Sequence, residues 1–175
     1  MIEYTRFVFC PRCGVAALEK HRKNAMRCTE CGYVFFHNNA AAAAAIIEYD
    51  DGVVITVRGH DPHKGKFDLP GGFVDYNESL ETALKREVRE ELGVDITIDR
   101  YLGSFPNRYE YKRVVYFTTD VVFVCRLSDP NATITANDEI ERWEVVAKES
   151  IPFDRFAFAS LANACGVYCT RESLH

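Results

Sequence analysis

The chain has 175 residues, of which 47% are hydrophobic and 27% are charged, and its formal net charge at pH 7 is -5. This composition is typical of one globular domain with a real core, and the negative charge argues against broad electrostatic binding to nucleic acid or anionic membranes. No apolar run approaches the length of a membrane span. The N-terminal MIEYTRFVFC lacks the basic and apolar regions of a signal peptide. These features predict a cytoplasmic protein without a membrane partner.

Two Cys-x-x-Cys pairs, CPRCG and CTECG, dominate the first segment and are separated by fourteen residues. Intracellular thiols usually stay reduced, so this spacing favours a metal over disulfides. Four thiolates suit a tetrahedral, structural Zn²⁺ site without an open position; the alternative is two free or redox-active pairs. We predict a zinc ribbon over residues 1–37, held together by its metal because so short a segment has little core. The predicted ligands are Cys10, Cys13, Cys28 and Cys31.

The ribbon also has moderate basic charge, contributed mainly by Arg12, Lys20, Arg22, Lys23 and Arg27. Such charge is compatible with contact to RNA. It is equally typical of an ordinary solvated hairpin, and charge runs more often have that role. Nucleic acid is therefore a partner that the sequence allows but does not favour.

Asn38 and Asn39 mark the boundary to a second domain, predicted over residues 38–175. Six alanines, Ala40–Ala45, favour a helix by propensity alone. They lead, however, into β-prone residues, then Asp51-Gly52, then the β-branched run 53–57. Because Asp-Gly between two such runs is a strong hairpin signal, we predict two strands here.

A loop is predicted over residues 59–78, which are rich in Gly and Pro. The next element is a helix that begins at Asn77 or Ser79 and ends at Leu92, with Gly93 at its C-terminal stop. Strands and helices are mixed rather than strictly alternating, which favours an α/β fold with a mixed sheet between helices. The remaining predicted elements are strands near 95–103, 113–127 and 143–147 and a closing helix from Pro152 to about Tyr168.

Three glutamates, Glu87, Glu90 and Glu91, are crowded into the last turns of the predicted helix. A helical wheel places them at or just beyond the edge of its apolar stripe, where they are partly desolvated. Two such charges about 5 Å apart repel by roughly 3 kcal/mol. A hard divalent cation removes this repulsion, and carboxylate oxygens suit Mg²⁺ or Mn²⁺. The alternative is a salt-bridged surface helix, to which an Arg86–Glu90 pair would belong.

The stretch GFVDYNESLETALKREVREELGV resembles the Nudix box, which is Gly, five residues, Glu, seven residues, then Arg-Glu-aliphatic-x-Glu-Glu-x-Gly-aliphatic. With the preceding LPGG and the strands that follow, the resemblance extends over residues 38–165. It implies a Nudix α/β/α sandwich, preceded here by the ribbon, and a hydrolase that cleaves the pyrophosphate bond of a nucleoside diphosphate linked to another moiety. The box positions met are Gly72, Glu78, Arg86, Glu87, Val88, Glu90, Glu91, Gly93 and Val94.

The resemblance also implies roles for these residues. The three glutamates would bind Mg²⁺ or Mn²⁺, joined by the Gly72 carbonyl, while Arg86 would orient them with Glu78 as its partner. A carboxylate would accept the proton of the attacking water. The candidates for that role are Glu91 and, in the acidic segment NDEIERW, Glu139 or Glu141.

A zinc ribbon ahead of a Nudix domain resembles the NADH pyrophosphatase branch of the family. Members of that branch carry Ser-Gln-Pro-Trp shortly after the box, whereas this chain reads Gly-Ser-Phe-Pro-Asn over residues 103–107. Ser104 and Pro106 match and the other two positions do not. The substrate therefore stays open between an NADH- or NAD-like dinucleotide and an ADP-sugar. Ribbon-bearing members are often dimers, so a homodimer is an additional expectation.

Basic and aromatic residues that follow the box are candidates for substrate binding. Tyr109 or Tyr111 could stack on a base or nicotinamide ring, and Arg108 or Arg113 could bind phosphate. The alternative is ordinary packing of alternate strand residues. Two other functions also stay open: a non-catalytic nucleotide sensor or RNA-binding protein built on the Nudix scaffold, and a hydrolase of capped RNA.

Overall fold

The computed structural model describes residues 7–112 and 114–172. The chain divides into two compact units. The first unit comprises residues 1–39 and 108–117, and the second unit comprises residues 40–107 and 118–175. The domain boundary at residues 37 and 38 stays a prediction.

The first unit contains a three-stranded antiparallel sheet of β1 (Leu18–Arg22), β2 (Ala25–Cys28) and β3 (Val34–Phe36), in the order β1-β2-β3. Its buried cluster consists of Cys10, Leu18, Met26 and Cys28. A core of this size offers little hydrophobic stabilisation to so short a segment.

The second unit is built on a mixed sheet with the strand order β10-β5-β4-β9-β8, in which β6 also pairs with β5 and β7 with β4. Strand β4 is parallel to β9 and antiparallel to β5 and β7. The mixed sheet and two helices confirm the predicted α/β fold. The elements are β4 (Ala40–Tyr49), β5 (Gly52–Arg58), β6 (Phe67–Asp68), β7 (Gly71–Phe73), α1 (Leu80–Leu92), β8 (Ile96–Tyr111), β9 (Val114–Leu127), β10 (Ile140–Ala147) and α2 (Ala159–Glu172).

The alanine run forms the central strand β4, as predicted against its helical propensity. Ala43 and Ala45 pack in one core cluster with Leu84 and Val88 of α1. Ala43 also pairs with Gly72 of β7. Small side chains on β4 therefore let a helix and a neighbouring strand approach closely, and this tertiary packing outweighs local propensity.

Helix α1 has the ends that the sequence predicts. Ser79 is the N-cap, and its Oγ accepts a hydrogen bond from the Thr82 N–H at 3.2 Å. Gly93 adopts the left-handed conformation, with φ of 68°, and its N–H donates to the Arg89 carbonyl at 3.0 Å. Of the two predicted N-caps, Ser79 is the correct one.

Two predicted elements were wrong in detail. The loop over residues 59–78 contains β6 and β7, which are too short to show a sequence periodicity. The closing helix begins at Ala159 rather than Pro152. Phe156 instead bridges to Phe67 of β6, and the Ala157 N–H donates to the Phe67 carbonyl at 2.8 Å. Residues Phe153–Arg155 form a short 3-10 helix, and the contacts of Phe156 and Ala157 then hold the chain to β6.

Candidate functional site

Two consecutive glycines bring strand β7 against the carboxylates of α1. A Cβ atom added to Gly72 would lie 2.5 Å from Cδ of Glu87, so that carboxylate rests directly on the glycine backbone. The Gly71 N–H donates to Oε2 of Glu91 at 2.9 Å. Gly71 itself has φ of 144°, and a Cβ there would lie 2.1 Å from the Ala43 carbonyl oxygen. Position 71 therefore requires glycine, while a side chain at position 72 would displace the Glu87 carboxylate.

Arg86 bonds to three acidic residues of the box, Glu78, Glu87 and Glu90. Its guanidinium donates to both carboxylate oxygens of Glu78, at 3.0 and 2.9 Å. One of its terminal nitrogens also donates to Glu87 at 2.8 Å and to Glu90 at 3.1 Å. Hydrogen bonding to Arg86 lowers the pKa of Glu78, while hydrogen bonds to Glu78 and then Glu87 raise the pKa of Arg86. Arg86 thus has the geometry of an orienting residue.

Electrostatic crowding is strongest at Glu91, which is only 9% exposed. Burial raises its pKa well above the ordinary value, and the charges of Asp68, Glu87 and Glu139 raise it further against the opposing Gly71 N–H. Burial also raises the pKa of Glu87, although Arg86 opposes the shift. Carboxylates that are expensive to ionise beside a tight glycine turn form a donor set that fits a hard divalent cation.

The three glutamates do not all point to one place. Glu87 and Glu91 lie against neighbouring glycines, whereas the Glu90 side chain is 56% exposed and pairs with Arg86. Over residues 7–112 and 114–172, the four cysteines form the one group of three or more potential ligands whose donor atoms all lie within 4.8 Å of one another. The three glutamates are therefore not gathered into one closed set of ligands in this structure.

A cavity of about 490 Å³ opens beside Glu91. It contains Glu139, one of the predicted proton acceptors, whereas Glu141 pairs with Arg142 at 3.2 Å and is not among the lining residues. The lining residues are Thr56, Arg58, His60, Asp61, Asp68, Gly71, Glu91, Asp138, Glu139 and Ile140.

Glu139 is held at the cavity by the segment that caps the C-terminus of α1. The Asn137 N–H donates to the Glu91 carbonyl at 3.0 Å, and the Thr135 N–H donates to the Leu92 carbonyl at 2.9 Å. Oδ1 of Asn137 then accepts from the Glu139 N–H at 2.8 Å. The last carbonyls of a helix lack intrahelical partners, and here they fix the loop that carries Glu139.

A partly buried ion pair in this cavity was not predicted from the sequence. Arg58 donates to Asp68 at 2.6 Å and to the Pro62 carbonyl at 2.7 Å, and its guanidinium lies 5.2 Å from the ring centroid of Phe158. Burial raises the pKa of Asp68, and Arg58 opposes that shift. Asp68 falls in the predicted loop, and the signal that could have revealed it is the Phe-Asp pair immediately before Leu-Pro-Gly-Gly.

The cysteines of the first unit converge as predicted. The sulfurs of Cys10 and Cys31 lie 3.7 Å apart, as do those of Cys13 and Cys28. A tetrahedral site with Zn–S bonds of about 2.3 Å has sulfur–sulfur edges of about 3.8 Å, so the cluster fits zinc. Burial opposes ionisation of Cys10, but hydrogen bonds from the Cys13 and Arg12 backbone outweigh it and lower its pKa to about 7.

Matching turns follow the two cysteine pairs. Gly14 and Gly32 both have positive φ, 74° and 71°. Their N–H groups donate to the Cys10 and Cys28 carbonyls, at 2.8 and 3.0 Å respectively. Glycine at these positions lets each loop turn back without strain.

Of the predicted substrate-binding residues, Gly72 lies on β7 in the second unit, and the others lie in the part of the β8–β9 segment that belongs to the first unit. The rings of Tyr109 and Tyr111 stack with their centroids 6.5 Å apart, and Arg108 lies 3.8 Å from Glu110. Arg113 lies outside the described residues. Their contribution to substrate binding stays a prediction.

The NUDIX domain family matches residues 37–163. The chain belongs to this family. It is 30% identical over 113 residues to the NAD-capped RNA hydrolase NudC of Vibrio atlanticus, which covers 64% of this chain and 41% of that protein. It is 43% identical over 65 residues to the low-salt glycan biosynthesis protein Agl8 of Haloferax volcanii, and the matched region covers 37% of this chain and 42% of that protein. The chain thus spans less than half the length of these curated relatives.

A solved structure supports the same fold. The crystal structure of a NUDIX hydrolase from Nitrosomonas europaea matches with a TM-score of 0.73, over 93% of this chain and 90% of that chain, at 22% identity. The predicted Nudix family and fold are therefore confirmed, and family membership agrees with the predicted enzyme class. Within the described residues, no helix combines the length and apolarity that a membrane span requires.

Proposed function

We propose that this Nudix protein hydrolyses the pyrophosphate bond of a nucleoside diphosphate linked to another moiety, such as an NADH- or NAD-like dinucleotide or an ADP-sugar. The observation that carries the proposal is the pair of carboxylates, Glu87 and Glu91, packed on Gly72 and Gly71. Of these residues, Glu91 and Gly71 line a cavity of about 490 Å³. A cavity of this size suits a small-molecule substrate. Similarity to a NAD-capped RNA hydrolase supports the same reaction class.

Glu87, Glu90, Glu91 and the Gly72 carbonyl would hold Mg²⁺ or Mn²⁺. Such an ion, when bound, neutralises phosphate oxygens and lowers the pKa of the attacking water. Arg86 keeps Glu87 in place through its bond to that carboxylate and its fork-like contact with Glu78.

Glu139 is the proton acceptor that we assign. It lines the cavity, and the α1-capping loop fixes its backbone. Glu91 is a weaker candidate because its carboxylate already accepts the Gly71 N–H and is assigned to the metal. A carboxylate placed within reach of the attacking water contributes typically 10²- to 10⁴-fold to such a rate.

The first unit is proposed to bind one structural Zn²⁺ through Cys10, Cys13, Cys28 and Cys31, whose sulfurs have the spacing of a tetrahedral site. A homodimer, expected from ribbon-bearing members of the family, stays a prediction that light scattering after size-exclusion chromatography would test.

A panel of pyrophosphate compounds tests the proposal. NADH, NAD, ADP-ribose, diadenosine polyphosphates and capped RNA would be incubated with the protein and Mg²⁺ or Mn²⁺, and the products identified by mass spectrometry. We expect two phosphate-terminated products from at least one compound and no cleavage by Glu91→Gln. Binding without cleavage for the whole panel would instead support a non-catalytic nucleotide sensor, although the intact set of box glutamates argues against that function.

Charge distribution favours capped RNA as a second candidate substrate. The first unit has nine Lys and Arg against four Asp and Glu, a formal charge of +5, whereas the second unit has twelve against twenty-two, a formal charge of -10. The first unit also exposes aromatic rings, among them Phe9 (67% exposed), Tyr33 and Phe36. Cations that contact phosphates and rings that stack on bases are the means by which proteins bind single strands.

Filter binding of a short capped RNA at increasing salt concentration tests this candidate. We expect an affinity that falls steeply with salt and is lost when a chelator removes zinc from the first unit. RNA affinity that is independent of both salt and zinc would leave small dinucleotides as the favoured substrates.

A further inference from the structure

Thr56 lies at the centre of β5 and is fully buried. Its backbone pairs with Asp68 of β6 on one side and with Trp143 of β10 on the other. Its Oγ1 is the one buried side-chain nitrogen or oxygen without a hydrogen-bond partner in the described part of the chain. Buried hydroxyl groups are nearly always paired, because leaving one unpaired costs free energy.

Thr118 of β9 shows how a structural threonine behaves in this protein. It is also buried, and its Oγ1 donates to Oδ1 of Asp120 at 2.6 Å. Oδ2 of the same carboxylate accepts from Ser160 at 2.6 Å. The buried hydroxyl of Thr118 thus has a hydrogen-bond partner within the protein, whereas the buried hydroxyl of Thr56 has none.

Thr56 is one of the residues that line the cavity that also contains Asp68, Glu91 and Glu139. These neighbours are carboxylates, which accept hydrogen bonds when ionised and repel the oxygens of a phosphate. Arg58 also lines the cavity, but its guanidinium is bonded to Asp68 and to the Pro62 carbonyl. A group bound beside Glu91 and Glu139 therefore donates hydrogen bonds to them. Water meets this requirement, since it can donate to a carboxylate while it accepts from, or donates to, a hydroxyl.

We propose that Thr56 is a positioning residue for the water that attacks phosphorus, an inference that rests on the proposed function. The Thr56 hydroxyl holds the water so that one of its O–H bonds points at the Glu139 carboxylate. The water oxygen forms the new bond to phosphorus and its proton passes to Glu139. The bridging P–O bond breaks, and its electron pair leaves with the other phosphate. Thr56 keeps its own proton throughout.

Two substitutions at Thr56 and one control test this assignment. Thr56→Val keeps the shape of the side chain and removes the hydroxyl, while Thr56→Ser keeps the hydroxyl. Thr118→Val removes a hydroxyl that the scaffold uses. Steady-state kinetics would be measured on the compound that the wild-type protein cleaves best, together with thermal melting of the metal-free proteins.

We expect Thr56→Val to lower kcat by roughly 10- to 100-fold with little change in KM, and Thr56→Ser to restore most of it. Metal-free Thr56→Val should melt at or above the wild-type temperature, because no protein hydrogen bond is lost. Thr118→Val should melt lower and keep the wild-type kcat.

Three outcomes would overturn the inference. A raised KM with an unchanged kcat would show that Thr56 contacts the substrate instead. Unchanged values of both constants would show that its hydroxyl binds nothing that matters to turnover. A melting temperature lowered as much as in Thr118→Val would show that the hydroxyl bonds to the protein. If the wild-type protein cleaved no compound in the panel, the proposed function would fail first and this inference with it.

Discussion

In the first unit four cysteine sulfurs lie within 4.8 Å of one another. In the second unit Glu87 and Glu90 bond to Arg86, whereas Glu91 accepts from the Gly71 N–H. The cysteine loops are fixed by matching glycine turns, so their ligand atoms are gathered in advance. The glutamates are held by Arg86 and by the glycines of β7, and one of them is half exposed. A closed set of ligands suits a metal that only stabilises the fold, and an open set suits a metal that must also admit a substrate.

The largest effect is expected when one ligand of the four-cysteine site is removed. Cys28→Ser should abolish stoichiometric zinc binding and unfold the sheet of the first unit, because apparent binding free energies of structural Zn²⁺ are about 10–16 kcal/mol. Elemental analysis and limited proteolysis would measure both effects. Cys169→Ser is the matched control, since Cys169 lies on α2 outside the cluster. Full zinc content in Cys28→Ser would contradict the assignment.

A substitution in the glutamate site should stabilise the metal-free protein rather than unfold it. Glu91→Gln should lower kcat by about a thousandfold or more, as removal of a key electrostatic group does. The same change should stabilise the metal-free protein, because it removes a buried carboxylate that its neighbours repel. Denaturant unfolding without metal would measure the second effect, and an equal or lower stability would contradict the repulsion on which the metal assignment depends.

A smaller effect distinguishes the two acids of the NDEIERW segment. Glu139→Gln should lower kcat by about 100-fold, because it removes the assigned proton acceptor. Glu141→Gln should leave kcat within about twofold, since Glu141 pairs with Arg142 outside the cavity lining. Rate measurements on both variants decide the assignment, and equal losses would show that Glu139 has no special role.

The smallest effect is the pH dependence of stability. A carboxylate with a pKa raised in the folded state stabilises the fold fully below its unfolded pKa of about 4.3, and that stabilisation is lost as the pH rises through the folded pKa. For Glu91 and Glu87, both of which are raised, the metal-free protein should therefore weaken from about pH 5 upward. The stability advantage of Glu91→Gln should grow over the same range. A difference that stays constant between pH 5 and 8 would contradict these shifts.

Features that depend on local sequence patterns could be predicted. The cysteine spacing predicted the cysteine cluster, and Ser79 and Gly93 predicted the ends of α1. The spacing of the box glutamates is a local pattern of the same kind. The strand formed by the alanine run could be predicted because Asp51-Gly52 gives a local turn signal. These features need no knowledge of which strands become neighbours.

The cavity, by contrast, depends on strand pairing that no local pattern encodes. Thr56 and Asp68 meet because β5 pairs with β6, and Glu139 approaches Glu91 because the loop before β10 caps α1. The start of α2 was placed too early for the same reason, since Phe156 pairs with Phe67 from a distant part of the chain. Thr56 and Asp68 were therefore not predicted from the sequence, and Glu139 could not be distinguished from Glu141 before the structure placed it in the cavity.

Titration of the zinc-loaded protein with Mn²⁺, followed by electron paramagnetic resonance, tests the central claim most directly. We expect the wild-type protein to bind Mn²⁺ at the α1 carboxylates and to retain its zinc. Glu91→Gln should bind Mn²⁺ at least about tenfold more weakly, as loss of a carboxylate ligand predicts. Equal Mn²⁺ affinity in the two proteins would contradict the claim that this group of glutamates is a metal site.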